Sequence, residues 1–173
     1  MGIEIERKFL LLDERWRAHI ERSDRLAQGY LVGADALRSG AARASVRVRV
    51  AGDQAWLNLK SVTQGIKRAE FEYAIPLDDA RTLLDTLCDG VLEKMRHHVR
   101  VDGVVFEIDE FLGDNAGLIV AEIELPTVDA AFPTPPWLGR EVSQLVRYYN
   151  VNLIAHPWQQ WSAAERAAED AAC

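Results

Sequence analysis

Ile3-Glu4-Ile5-Glu6-Arg7-Lys8-Phe9-Leu10 opens the 173-residue chain on a strict two-residue alternation. In an extended strand successive side chains point to opposite faces, and residues two apart stand roughly 6–7 Å from each other on one face. Glu4, Glu6 and Lys8 therefore share one side of a strand, and Ile3, Ile5, Arg7 and Phe9 the other. The same period runs through about residues 3–12, 26–32, 44–51, 55–62, 68–75, 91–101, 104–111 and 118–125, which predicts eight strands. Ala51-Gly52-Asp53-Gln54 and the dipeptide Asp102-Gly103 read as tight hairpins, so neighbouring strands are antiparallel. Asp78 is expected to cap a helix carrying Ala80, Leu83, Leu84 and Leu87 on one face and closed by Gly90. A second helix is expected to carry Val142, Leu145, Val146 and Tyr149, after the break at Pro133, Pro135 and Pro136.

What distinguishes these strands is the company their charges keep. Arg47 and Arg49 oppose Val46, Val48 and Val50; Lys60 opposes Leu57 and Leu59; Glu70 and Glu72 oppose Phe71 and Tyr73. Farther on, Lys94 and Arg96 share a face, as do Glu107 with Asp109 and Glu122 with Glu124. One such doublet is ordinary for a half-solvated sheet. A set of single-signed doublets is not, because same-sign neighbours repel and a merely solvated face mixes signs. Clustered Lys and Arg neutralise a polyanion, and clustered carboxylates hold the hard divalent ion that travels with phosphates. If the sheet closes, the charged faces converge inside and the apolar faces turn outward under helices.

Composition narrows the alternatives. At 49% apolar residues one core-forming domain is expected, and the net charge of -7 argues against gripping nucleic acid or an anionic membrane by bulk electrostatics. Only Cys88 and Cys173 are present, which gives no disulfide framework and no metal-ligand spacing. No stretch approaches the roughly 20 apolar residues of a membrane helix and no export signal is read, so a cytoplasmic location is expected. His97 and His98 are adjacent on a strand and face opposite ways, so they are not read as a ligand pair. Trp56 shares the strand face of Lys60, Trp158 and Trp161 read as packing residues, and Cys88 as a small core residue.

Taken in order, Glu4-Ile5-Glu6-Arg7-Lys8, Gln28-Gly29-Tyr30-Leu31, Val46-Arg47-Val48-Arg49, Leu59-Lys60-Ser61, Glu70-Phe71-Glu72, Glu93-Lys94-Met95-Arg96, Phe106-Glu107-Ile108-Asp109 and Glu122-Ile123-Glu124 resemble the CYTH superfamily of triphosphate tunnel metalloenzymes, closest to its short bacterial inorganic triphosphatase-like members. The resemblance covers about residues 1–154. It implies an α+β, mainly β fold: an eight-stranded antiparallel closed barrel with a charged interior and flanking helices. Residues 1–155 would form the tunnel domain and 156–173 a helical or frayed tail.

The same resemblance implies Mg²⁺ or Mn²⁺ dependence and hydrolysis of inorganic triphosphate or a related triphosphate compound. Lys8, Arg47, Arg49, Lys60, Lys94 and Arg96 would hold phosphates, and Glu4, Glu6, Asp109, Glu122 and Glu124 the metal. Arg68, Glu70, Glu72 and Glu107 are second choices, and Lys8 with Tyr30, beside Glu4 and Glu6, would assist attack by water. The implied partner is a small triphosphate, with neither nucleic acid nor membrane, and a homodimer is compatible with the resemblance. Other activities within the resemblance are adenylate cyclase and thiamine triphosphatase; from another class comes a noncatalytic polyphosphate- or nucleotide-binding module. One departure stands out: Ser143-Gln144-Leu145-Val146-Arg147-Tyr148-Tyr149-Asn150 has Leu145 where the family pattern is acidic.

Overall fold

A computed structural model describes residues 2–62 and 66–167; Cys173 lies outside the described residues. Nine strands form one sheet: β1 (Gly2–Leu11), β2 (Ile20–Val32), β3 (Ala44–Ala51), β4 (Gln54–Ser61), β5 (Lys67–Ala74), β6 (Val91–Val101), β7 (Val104–Phe111), β8 (Ile119–Glu124) and β9 (Leu138–Glu141). The order β5-β4-β3-β2-β6-β7-β8-β1-β9, with β5 also pairing β1, closes the first eight strands into an antiparallel barrel. Strand β1 is shared along its length: Gly2 to Ile5 pair with β5, whereas Phe9 and Leu11 pair with β9.

The hairpins fall where the dipeptides place them. Asp102 (φ 49) and Gly103 (φ 84) both adopt left-handed backbone, as a type I′ turn between β6 and β7 demands. Ala51 pairs with Gln54 across the β3–β4 turn.

Three differences from the sequence reading have identifiable causes. Strand β2 begins six residues earlier than the alternation implies, because Ile20 to Arg25 is a polar run with no apolar face to betray it. That run is held by β6 through Asp24↔Arg96 and Arg25↔Met95 register and by the Arg25–Glu93 and Arg100–Glu21 ion pairs. Strand β9 is only four residues long, too short for a periodic signal, and pairs with β1 beyond the stretch that β5 covers. The expected second helix is replaced by shorter pieces: Val142 and Leu145 lie in turns, a 3-10 turn spans Val146–Tyr148, and helix α3 starts at Asn150 (Asn150–Ala155).

The helix α2 (Leu77–Thr86) forms as expected, but its N-cap is Pro76, and Asp78 sits in the first turn without a side-chain cap bond. Ala80 and Leu84 are buried with Val48 and Ala55, so α2 covers the outer face of β3 and β4. A second outer cluster gathers Ile5, Phe9, Trp16, Phe106, Ile108 and Trp137. Arg7, on the same outward face, lies 5.0 Å from the Phe132 ring and forms a forked pair with Glu141. The third cluster, Leu92, Phe111, Val120 and Val142 with Tyr148, Leu153 and Trp161, joins inward positions of the barrel to the C-terminal segment. Trp161 therefore packs against Tyr148 rather than standing free, its ring 5.0 Å away edge-on. Two short helices, α1 (Ala34–Arg38) and α4 (Ala163–Arg166), complete the described chain.

A candidate active-site tunnel

Alternation and closure together aim the charged doublets inward, around a cavity of about 900 Å³. Glu4, Glu6, Lys8, Tyr30, Arg47, Arg49, Lys60, Arg68, Glu70, Glu72, Arg96, Glu107, Glu122 and Glu124 all line it. Lys94 and Asp109 do not. They lie beneath its wall, 1% and 0% exposed, paired with each other and with Asp109 gripped by both Nε and Nη2 of Arg96 at 2.7 Å. Helix α1 and the chain entering α3 add Arg38, Tyr149, Asn150 and Asn152 to the lining.

Register decides which charges meet. Across β1 and β8, Lys8 stands opposite Glu122 and Glu6 opposite Glu124; across β7 and β8, Glu107 stands opposite Glu122. Lys8 pairs with Glu6 at 2.7 Å and with Glu122, and Arg96 also reaches Glu107 and Glu122. Lys60 and Arg68 both hold Glu4, at 2.9 and 2.6 Å. Burial alone would lower the Lys8 pKa, but Glu122 and Glu6 more than offset it, and the ammonium is held above its ordinary value. Burial likewise opposes ionisation of Glu4, yet Lys60 and Arg68 draw its pKa down to about 2.

The opposite wall is short of partners. Arg47 is buried, its carboxylate contact among the described residues is Glu70 at 3.9 Å, its guanidinium also meets the Tyr30 phenol, and its Nε has no hydrogen-bond partner among the described residues. Arg49 donates to Glu72 at 2.8 Å and lies 5.2 Å from the Trp56 ring, and its Nε is also unmatched. Burial and the neighbouring Arg47 lower the pKa values of both Arg49 and Lys60. Such a wall of crowded, under-satisfied cations is unfavourable unless an anion arrives.

The acidic wall has the complementary defect. Glu124 has no cationic partner among the described residues, and burial, followed by Glu107, Glu4, Glu6 and Glu70, pushes its pKa up. Among the described residues no three carboxylates meet at one point, since Glu4, Glu6 and Glu122 are turned onto Lys and Arg. The donor set is nevertheless all carboxylate oxygen, the hard ligand type that Mg²⁺ and Mn²⁺ take, and a divalent ion would relieve the repulsion at Glu124.

Tyr30 sits on the basic wall. Its phenol takes a hydrogen bond from Gln28 Nε2 at 3.3 Å, and burial raises its pKa against the pull of Arg47, Arg68 and Lys8. Two buried amides on inward faces were not among the site residues read from the sequence: Gln28 and Asn58, both 0% exposed. The parity of β4 contains the signal, since Asn58 stands between Trp56 and Lys60, but a search for charge passes over amides. The histidines separate as expected, His97 bonding Ser23 and packing tilted against Trp16 while His98 faces Asp24 and Glu107. Leu145 packs on the third apolar cluster, and Arg147 lies over the Tyr148 and Trp161 rings.

A closed antiparallel barrel carries an under-satisfied basic wall facing a crowded acidic one across its cavity. The chain matches the model of the CYTH domain over residues 2–156, and it belongs to that family. It is 41% identical over 162 residues to an inorganic triphosphatase of Acetivibrio thermocellus, spanning 93% of this chain and 99% of that one. An inorganic triphosphatase of Nitrosomonas europaea is 34% identical over 152 residues, 85% of this chain and 93% of its own. A crystal structure of an inorganic triphosphatase, NE1496, superposes with a TM-score of 0.63 at 32% identity, covering 89% of this chain and 95% of the other. A Hippeastrum protein with dominant triphosphatase activity shares the fold at 16% identity, TM-score 0.51, over 73% and 80% of the two chains.

Glu4 sets an acid limit on the barrel. Its folded pKa of about 2 lies below the ordinary 4.5, so its contribution is complete above the unfolded value and is lost as pH falls through the folded one. That contribution is on the order of 3 kcal/mol at neutral pH. Urea midpoints should drop between about pH 5 and pH 2, and Glu4→Gln should flatten that slope. An unchanged slope in the variant would remove Glu4 from the account.

Proposed function

We propose that the protein is a phosphoanhydride hydrolase that converts inorganic triphosphate and water to pyrophosphate and phosphate, with Mg²⁺ or Mn²⁺. The observation that carries this reading is the buried Arg47 guanidinium, facing the cavity beside Arg49 with the Nε of each unmatched among the described residues. A linear triphosphate offers many oxygen acceptors to that wall and leaves the opposite wall to its cation. The 41% and 34% identical inorganic triphosphatases support the same substrate class.

Arg47, Arg49 and Lys60 would hold the phosphates, with Lys8 and Arg96 bridging the two walls; Glu4, Glu6, Glu122 and Glu124 would hold the metal. When bound, the metal supplies Lewis-acid polarisation of phosphoryl oxygens and lowers the pKa of coordinated water. Lys8 is held protonated by Glu122 and Glu6, and the raised pKa keeps Tyr30 a neutral phenol. Both groups can therefore orient water and stabilise charge as donors, but neither takes its proton at neutral pH. That proton passes to a carboxylate or a phosphate oxygen. No covalent nucleophile is required.

We place the enzyme in the cytoplasm with a small-molecule substrate and without nucleic acid or membrane partners; its net charge of -7 supports that reading. Two measurements test the function. Wild-type protein with Mg²⁺ or Mn²⁺ should release phosphate and pyrophosphate from inorganic triphosphate, and ATP with Mn²⁺ should yield no cyclic AMP; cyclic AMP as main product moves the assignment to a cyclase. Triphosphate and Mg²⁺ together should raise the melting temperature, because a ligand at 100 times its Kd adds about 2.7 kcal/mol. No shift at saturation would remove the phosphate site.

A further inference from the structure

The inward face of β4 places Asn58 between Trp56 and Lys60, directly opposite Arg47 on β3 and Glu72 on β5. It is fully buried and lies beneath the cavity wall rather than on it. Its Nδ2 donates to Glu70 Oε1 at 3.1 Å and also to Glu72 Oε2. Ionised carboxylates only accept, so the amine end of the amide must face them, and its two N–H groups serve one carboxylate each. Oδ1 is left buried without a partner among the described residues. An orphaned acceptor is unfavourable, so this side chain is not explained by stability alone.

Glu70 and Glu72 in turn hold the basic wall. Arg49 Nη2 donates to Glu72 at 2.8 Å, and Glu70 lies 3.3 Å from Lys60 Nζ and 3.9 Å from Arg47 Nη2. The amide thus stands under two like-charged carboxylates, and these stand under three cations that face the cavity. The geometry points to Asn58 as a positioning residue for triphosphate: it clamps Glu70 and Glu72 side by side so that Arg47, Arg49 and Lys60 present a preformed phosphate cradle. This rests on reading that wall as the phosphate site. Among the described residues Asn58 makes no hydrogen bond to Glu4, Glu6, Glu122 or Glu124, so its direct contacts fall on the phosphate wall, and its link to the metal side runs through Glu70, which neighbours Glu4.

Asn58→Leu removes both donors while keeping the branched shape and the number of heavy atoms, and Asn58→Thr keeps one donor. For Asn58→Leu, KM for triphosphate should rise about tenfold or more, kcat should stay within about threefold, and the Mg²⁺ activation midpoint should not move. Calorimetric Kd for tripolyphosphate on the chelator-treated full chain should rise by the same factor as KM, with Asn58→Thr intermediate. A purely structural role would lower the melting temperature and leave Kd unchanged. Wild-type KM and Kd in folded Asn58→Leu overturn the inference; if that variant does not fold, wild-type values in Asn58→Thr overturn it. Wild-type protein that neither binds nor hydrolyses tripolyphosphate sinks the proposed function and this inference with it, whereas wild-type activity with unaffected variants sinks this inference alone.

Discussion

Replacing Glu124 with Gln should cut triphosphate hydrolysis by about 100-fold at ordinary metal concentration, with partial recovery as Mg²⁺ or Mn²⁺ is raised. The same change should leave the empty protein as stable as before or slightly more so. Glu124 has no cation beside it among the described residues and is crowded by Glu107, Glu4, Glu6 and Glu70, so neutralising it removes repulsion. Glu124 is half open to solvent, which keeps that gain small. Glu122→Gln is the informative contrast. Glu122 is buried and is shared by Lys8 and Arg96, so losing its charge takes one anion from each of two buried cations, leaving Lys8 to Glu6 and Arg96 to Asp109 and Glu107. That should cost on the order of 3 kcal/mol, or about 6–12 °C in melting temperature for a chain of this size. The pair of variants separates a carboxylate kept for a metal from one that also holds the barrel together. Equal destabilisation in both, with no metal rescue in either, would contradict that division.

Replacing Arg47 with Ala should lower kcat/KM for triphosphate by about 10² to 10³, equivalent to about 3–4 kcal/mol, and added metal should not restore it. The stability of the empty protein should change little, for a reason peculiar to this wall. Among the described residues Arg47 has one carboxylate contact, a long one to Glu70, beside a hydrogen bond with the Tyr30 phenol, and it depresses the pKa values of its own neighbours Arg49 and Lys60. Its removal relieves that crowding and should bring Lys60 back toward its ordinary pKa, which titration of the ammonium would detect. A large fall in melting temperature with unchanged KM would mean that Arg47 is a packing residue and that the anion binds elsewhere.

The inward wall was legible in the sequence because strand parity is a local property. Once Glu4, Glu6 and Lys8 alternate with Ile3, Ile5 and Phe9, their common face follows from backbone geometry alone. The hairpins at Gly52-Asp53 and Asp102-Gly103 were equally local, being matters of left-handed backbone that few residues tolerate. What parity could not supply was depth. Lys94 and Arg96 carry the same face in the sequence, yet Arg96 reaches the cavity and Lys94 is walled in with Asp109. Depth depends on the stagger of eight strands around the barrel and on the C-terminal residues Tyr148, Leu153 and Trp161 packed against Leu92 and Phe111. Strand β9, the polar start of β2 and the broken helix after Pro136 were likewise settled by neighbours far along the chain, because their own residues carry no periodic signal. The sequence by itself determined which side chains face the interior, through the two-residue period of a strand. Only the tertiary structure decided which of those charges pair and which stay under-satisfied, because antiparallel register and barrel closure set the distances on which electrostatics depends.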